Sequence, residues 1–329
     1  MLQEKSIAVV IPSYNVSHLL SRVLTTMPDF VDFMIVVDDC SSDNTSEVAI
    51  SHGAVDITVT KIERDKGQHY PKILLIKHLI NQGVGGAIAS GYNWCRDNNI
   101  DVAVVMAGDG QMDPSDLLEI VTPVVCGEVD YTKGNRLFTG EAWNRIPHIR
   151  YLGNSVLSLF TKIASGYWHV ADSQSGYTAI NNHFLSLICW DKMYKRYGQP
   201  NDLLVRLNTY NCRVRDVVVN PIYNIGEKSG IRIGKVFFTI SWLLVRMFLW
   251  RMKEKYVIRD FHPLVFFYIL AFLLLLACLP LGGRLAWYWW TVGELPKINF
   301  LAMMFCGIMG LQSLFFAMLF DMENNKGLR

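Results

Sequence analysis

The sequence predicts an α/β domain built on a mostly parallel sheet, followed by helices that lie on a membrane and then cross it. Three observations carry this reading. Short β-branched runs alternate with helical stretches through the first two thirds of the 329 residues. Three of those runs end in polar clusters. Beyond residue 235 the chain turns apolar and contains two long windows without a charge.

The alternating part reads as follows. Residues 7–11 (IAVVI) form a buried strand that Pro12 closes. Ser17 is placed to cap a helix reaching residue 27, before Pro28. Residues 34–37 form a second strand ending in Asp38 and Asp39. Asp43 is placed to cap the next helix, which Gly53 stops. Residues 73–76 form another strand, followed by the turn NQGVGG and a helix over 87–97. Residues 102–106 form the next strand and 131–133 a further one; a helix then runs toward Ser165. Units of this kind build a parallel sheet with helices on both faces, and ligands bind beyond the carboxyl ends of the strands. Pro12-Ser13-Tyr14-Asn15, Asp38-Asp39 and Asp109-Gly110-Gln111 lie at three such ends, so they are predicted to converge on one crevice.

Residues 263–283 and 298–320 carry no charge for 21 and 23 residues. About 20 apolar residues cross a bilayer. The segment between them holds Trp287, Tyr288, Trp289 and Trp290, an interfacial composition. A membrane hairpin with a short loop over 284–297 is therefore expected, and residues 321–329 form a tail. Residues 236–250 are too short and too interrupted by Arg246 to span; they read as a helix lying in the interface, within a juxtamembrane region 226–262. Eight basic residues between Lys228 and Arg259 face only Arg284 and Lys297 in the far loop, which places the domain 1–225 and the tail in the cytoplasm. The N-terminus enters a strand rather than a signal peptide. The seven cysteines are scattered, with no C-x-x-C pair, which fits a reducing compartment and argues against structural zinc. No P-loop is present, against a kinase-like NTPase, and the net charge of +2 marks no nucleic-acid partner.

The motifs carry the chemistry. Carboxylates at a strand end can accept hydrogen bonds from a ribose or a base; Asp38 and Asp39 could equally be turn and cap residues. The glycines of NQGVGGA, with Gly85 among them, could aim amides at a phosphate or serve geometry alone.

IPSYN, VVDDCSSDNT, NQGVGGAIASGY and AGDGQMDP occur in the order and spacing of family 2 glycosyltransferases with a GT-A fold, a Rossmann-like architecture. Within it the chain resembles dolichyl-phosphate mannose synthases and bacterial polyprenyl-phosphate glycosyltransferases, over residues 6–225 by motif and beyond by architecture. The resemblance implies a nucleotide pocket of Pro12, Tyr14, Asn15, Asp38, Asp39 and Gly85. It implies Mg²⁺ or Mn²⁺ held by Asp109 and Gln111. The departure is Ala107, which stands where the first aspartate of Asp-x-Asp belongs, so one carboxylate is missing. Weaker metal binding is expected, not independence of metal. Arg136 in KGNRLF is implied to meet the acceptor phosphate, with Arg145 and Arg150 as further cations. Asp172 in ADSQSGYTA would sit near the sugar and acceptor, with a loop-capping role as the alternative. Asp202 is a reserve candidate for a base.

The implied function is an inverting transfer of a sugar from a UDP- or GDP-linked donor to a polyprenyl phosphate, at the cytoplasmic face of a bacterial inner membrane. A membrane glycosyltransferase with a glycan or lipid-linked oligosaccharide acceptor, and a non-catalytic nucleotide-sugar binder, remain as alternatives. The absence of a Gln-x-x-Arg-Trp motif disfavours a polymerase. Gly307 and Gly310 could support packing between copies in a homo-oligomer.

Overall fold

This computed structural model describes residues 2–58, 72–137, 148–220, 222 and 233–329, with side chains of 148–154 and 233–237 left aside. The chain divides into two compact units, Met1–Phe248 with Leu328–Arg329, and Leu249–Gly327.

The first unit contains β1 (Ile7–Ser13), α1 (Ser17–Thr25), β2 (Phe33–Asp38), α2 (Thr45–Ser51), β3 (Val55–Asp56), β4 (Ile73–Lys77), α3 (Val84–Asp97) and β5 (Val102–Val105). Then come α4 (Leu117–Val125), β6 (Tyr131–Asn135), α5 (His148–Ser165), β7 (Thr178–Asn181), α6 (Asn182–Leu187), α7 (Gln199–Thr209) and β8 (Val214–Val218). The strands form one sheet in the order β3-β4-β2-β1-β5-β7-β6-β8. The pairs from β3 to β5 are parallel, as is β6 with β8. β7 runs antiparallel to both of its neighbours.

The central strands read as unbroken apolar runs because both faces of the sheet are covered. Side chains alternate between two cores: Ala8, Val10, Ile35, Val37, Ala103 and Val105 on one side, and Ile7, Val9, Met34, Val36, Val102 and Val104 on the other. Strand order reverses at β1, which lies between β2 and β5. The carboxyl ends of these three strands are therefore neighbours, with Ser13 paired to Asp38.

Two helix starts differ from expectation. Val16, not Ser17, is the N-cap of α1, and no side chain of its own caps it. Asp43 reaches across from the next loop instead: Ser17 N–H donates to its Oδ2 at 3.0 Å, and Thr45 N–H to its Oδ1 at 3.1 Å. One carboxylate thus serves two helix starts, a long-range arrangement that local spacing does not reveal. α3 begins at Val84, three residues before the expected start.

α8 (Ile233–Lys253) realises the stretch expected to lie in the interface. Ile240, Leu243, Leu244 and Met247 form its buried face, while Phe238, Trp242, Val245 and Leu249 form an exposed apolar stripe at helical spacing. The buried face carries the first unit to Phe248, well past the domain end expected at residue 225. A Cβ built on Gly198 would lie 2.6 Å from Leu243, which shows how closely the helix approaches that loop.

In the second unit, a π-helical turn Glu254–Arg259 precedes α9 (Leu264–Val292) and α10 (Lys297–Asn324). Both helices are long and apolar enough to cross a membrane, and most of each apolar window is unburied. The loop expected over 284–297 is shorter than that. α9 continues past Pro280 and through the tryptophan cluster to Gly293, whose positive φ of 76° ends it while its N–H donates to Trp289 O. Gly307 and Gly310 face the hairpin's own first helix: their added Cβ atoms would meet Cys278 Sγ at 3.9 Å and Leu275 Cδ2 at 3.0 Å. The small size of Gly310 serves the close α9–α10 contact, whereas a Cβ on Gly307 would make an ordinary contact.

Candidate active site

The crevice is built from loops at the ends of β1, β2 and β5. Asp39 N–H donates to Ser13 O at 2.9 Å, and Gly108 N–H to Pro12 O at 3.1 Å, so all three loops are tied to β1. A Cβ on Gly108 would sit 2.5 Å from Ser13 Oγ, so a larger residue here would force the serine side chain to move. Tyr14 is half exposed at the rim. Asn15 adopts φ +53°, and its Oδ1 accepts from Ser42 N–H at 2.8 Å, locking the first loop to the second.

The two adjacent aspartates have distinct partners, and both are buried. Asp38 accepts from Ser41 N–H at 2.9 Å and from the Ser46 hydroxyl, inside its own turn. Asp39 faces the other way. Its Oδ1 accepts from His78 Nδ1 at 2.7 Å and from Gln82 N–H at 2.8 Å; its Oδ2 accepts from Gly83 N–H at 2.7 Å. His78 is held from behind by Ser90 Oγ, 2.8 Å from Nε2. Asp39 therefore orders the glycine-rich turn. The Gly85 N–H, a candidate phosphate donor from sequence, instead donates to Lys195 O at 2.9 Å, and a Cβ there would lie 2.3 Å from Tyr194 O.

A cleft of about 60 Å³ opens beyond β5, lined by Asp109, Gln111, Asp113, Arg136, Tyr177 and Asn220 among others. Gly110, at φ +71°, turns the chain after Asp109, and Gln111 N–H donates to Asp109 Oδ1 at 3.1 Å. Ala107 contributes only its N–H, donated to Met112 Sδ at 3.3 Å. Asp109 and Gln111 bring a carboxylate and an amide oxygen to one wall, a hard-donor set that fits Mg²⁺ or Mn²⁺. Among the described residues no group of three or more His, Cys, Asp or Glu is arranged to hold a metal. The remaining donors would have to be diphosphate oxygens and water.

Arg136, which also lines the cleft, forms a two-pronged pair with Asp172: Nε to Oδ2 at 2.7 Å and Nη2 to Oδ1 at 3.1 Å. Asp172 is buried, and burial alone would raise its pKa; the Arg136 and Lys133 charges more than offset this and hold it below 3.8. Asp202 lies on α7 and is not among the residues lining the cleft. It accepts from Tyr194 N–H at 2.7 Å and Arg206 Nε at 3.0 Å, and burial raises its pKa. Arg145 lies outside the described residues, and Arg150 belongs to α5 without a described side chain.

Three participants escaped the sequence reading. His78 orients Asp39. Asp216, on β8, accepts from Ala171 N–H at 2.7 Å just before Asp172. Lys133 is fully buried in β6. Its sequence signal was present: a lysine inside a strand whose other residues are uncharged, three positions before Arg136.

Comparison with known proteins shows the family to which the chain belongs. The family model described as glycosyl transferase family 2 matches residues 8–187. The chain belongs to glycosyltransferase family 2. Several family members with assigned activities align over most of its length. A UDP-N-acetylglucosamine–dolichyl-phosphate N-acetylglucosaminyltransferase of Methanococcus voltae is 28% identical over 247 residues, covering 74% of this chain and 97% of that protein. An undecaprenyl-phosphate mannosyltransferase of Micrococcus luteus is 27% identical, covering 70% and 91%. Among solved structures, the glucosyl-3-phosphoglycerate synthase of Mycobacterium tuberculosis in complex with Mn²⁺, UDP and glucosyl-3-phosphoglycerate superposes with a TM-score of 0.52. It is 16% identical and covers 75% of this chain and 80% of that one. That likeness establishes the GT-A-like fold of this family 2 chain.

Proposed function

We propose that this protein transfers a sugar from a nucleoside-diphosphate donor to a polyprenyl phosphate, with inversion at the anomeric carbon. The observation that carries the reading is that Asp109, Gln111 and Arg136 line one and the same cleft. Two anions must meet in this reaction, and the cleft offers oxygen donors for a cation on the donor side and a guanidinium on the acceptor side. The curated relatives act on dolichyl or undecaprenyl phosphate, which supports this acceptor class.

In this reading Tyr14 and the Asp38–Asp39 loop border the nucleotide, and His78 keeps Asp39 oriented. Asp109 and Gln111 would hold Mg²⁺ or Mn²⁺, which would supply positive charge against that gathering on the departing diphosphate. Arg136 receives the acceptor phosphate, because its planar fork matches two phosphate oxygens. The phosphate oxygen is already anionic and needs no general base. It attacks C1; the new O–C1 bond forms as the bond to the diphosphate breaks, and the electron pair leaves with the nucleoside diphosphate. Asp172 orients Arg136 rather than taking a proton, consistent with its lowered pKa. The charge-poor hairpin spans the membrane, and the basic residues of α8 and the following turn keep the first unit at the cytoplasmic face.

The test is nucleoside diphosphate release by purified protein with a panel of UDP- and GDP-sugars, with and without undecaprenyl phosphate, in Mg²⁺, Mn²⁺ or EDTA. Release that requires both the lipid phosphate and a divalent ion is expected. Release independent of the lipid phosphate would overturn the acceptor assignment.

A further inference from the structure

Lys133 is third in β6, a strand in which every residue is buried, and it is itself 0% exposed. Its Nζ donates to the carbonyl of Ser175, a residue of the cleft wall. Burial lowers its pKa to about 8, while Asp172 and Asp216 pull in the opposite direction. Four charges influence one another here: Lys133, whose Nζ is tied to the Ser175 carbonyl three residues after Asp172, together with Arg136, Asp172 and Asp216. Their formal charges cancel. Of the four, only Arg136 is among the residues lining the cleft, with its side chain 35% exposed. Asp216 Oδ2 accepts from Ala171 N–H and from Asn135 Nδ2, at 2.7 and 3.2 Å. Its buried Oδ1 has no hydrogen-bond partner among the described residues, so the cluster keeps unused acceptor capacity.

This arrangement bears on how Arg136 can serve an incoming anion. Arg136 is already committed to Asp172 through both prongs. A buried carboxylate deprived of its cation is strongly disfavoured. Were Arg136 the sole cation near Asp172, any interaction it gave to a phosphate would be withdrawn from that carboxylate. Lys133 supplies a second positive charge from a fully buried position that does not line the cleft.

We propose that Lys133, anchored on the Ser175 carbonyl of the loop that follows Asp172, is a positioning residue that helps to hold the charge of Asp172 and so lets Arg136 share its guanidinium with the acceptor phosphate. The inference rests on the reading of Arg136 as the acceptor-phosphate contact. Lys133 itself touches no substrate; it acts through Asp172 and through the Ser175 carbonyl.

The experiment uses the full chain in detergent with undecaprenyl phosphate and the donor sugar found active, and measures KM separately for each. Lys133→Met is expected to raise the acceptor KM about tenfold, the scale of one weakened charge-assisted contact, with the donor KM unchanged. Lys133→Arg, which keeps the charge, is expected to restore most of the loss. If Lys133→Met does not fold, Lys133→Met/Asp216→Asn removes one buried charge of each sign and leaves Asp172 to Arg136 alone; the same rise is expected. An unchanged acceptor KM in the folded variant, or equal rises for donor and acceptor, overturns the inference. Arg136→Ala separates the two levels. If it leaves the acceptor KM unchanged, both the Arg136 reading and the inference fall; if it raises that KM while the lysine variants do not, only the inference falls.

Discussion

Arg136 holds Asp172 by both carboxylate oxygens, at 2.7 and 3.1 Å, and the aspartate is 3% exposed while the arginine side chain is 35% exposed. The asymmetry decides which single substitution is worse for the fold. Arg136→Ala leaves a buried carboxylate without its main partner, at a cost of roughly 3 kcal/mol, the low end of the range for broken buried pairs because water reaches the arginine side. Asp172→Asn keeps the shape and removes the charge, so it costs less. The double variant should regain stability over Arg136→Ala and regain no activity. Thermal unfolding and product formation, measured on all three, separate the pair's structural share from its catalytic one.

The same pair sets an acid limit. Asp172 is held below the ordinary carboxylate value of 3.8 despite its burial. Its contribution to stability is therefore complete above that value and disappears as pH falls through the lower folded value. Wild-type protein should lose stability relative to Asp172→Asn only below about pH 4. A gap between the two melting curves that closes near neutrality instead would point to a different titrating group.

The legible and illegible parts of the chain divide along physical lines. β1, β2 and β5 could be read directly, because a strand covered on both faces must be apolar throughout. β7 (TAIN) and β8 (VRDVV) mix polar and apolar residues, and nothing local marks them as strands. Asp38, Asp39 and Asp109 were visible as carboxylates at strand ends. What each carboxylate binds was not, since the donors to Asp39 come from residues 78, 82 and 83 and depend on β4 lying beside β2. The glycine-rich turn looked like a phosphate cradle, yet the Gly85 amide is used by Lys195 because the 194–199 segment packs on it. The tryptophans after Arg284 suggested a loop by composition, but aromatic residues at a membrane boundary are compatible with a helix, and the helix runs on to Gly293.

Ala107 offers a gain-of-function test of the proposed ion. It lies two residues before Asp109 and is partly exposed, so a larger side chain has space to extend. Ala107→Asp adds a carboxylate to a set that now has one carboxylate and one amide oxygen. The concentration of Mg²⁺ or Mn²⁺ giving half-maximal rate should fall about tenfold, while Asp109→Asn should lower the rate about a hundredfold or more. Titrating the ion against the initial rate reads both. An Ala107→Asp variant with an unshifted titration would mean that the ion is held away from this turn.

Arg251 and Asp321 form the most deeply buried ion pair among the described residues, both 0% exposed, with Nη1–Oδ1 and Nη2–Oδ2 at 2.8 and 3.0 Å. Tyr256 OH donates to Asp321 Oδ1 at 2.6 Å and Asn325 Nδ2 to the same oxygen at 3.0 Å, so the carboxylate is fully surrounded by donors. The pair joins the last turns of α8 to the end of α10, across 70 residues of sequence. Removing one member strands the other in a site without water, which costs about 3–5 kcal/mol. Replacing both by apolar residues of similar volume removes the stranded charge and should cost far less. Arg251→Met and Asp321→Leu should each lower the melting temperature of the detergent-solubilised chain sharply, and the double variant should recover most of the loss. Tyr256→Phe, which deletes one hydrogen bond to a charged group, should cost about 1.5–3 kcal/mol. Single variants that melt like wild type would mean that water reaches the pair, because only a dry environment makes an unpaired charge this costly.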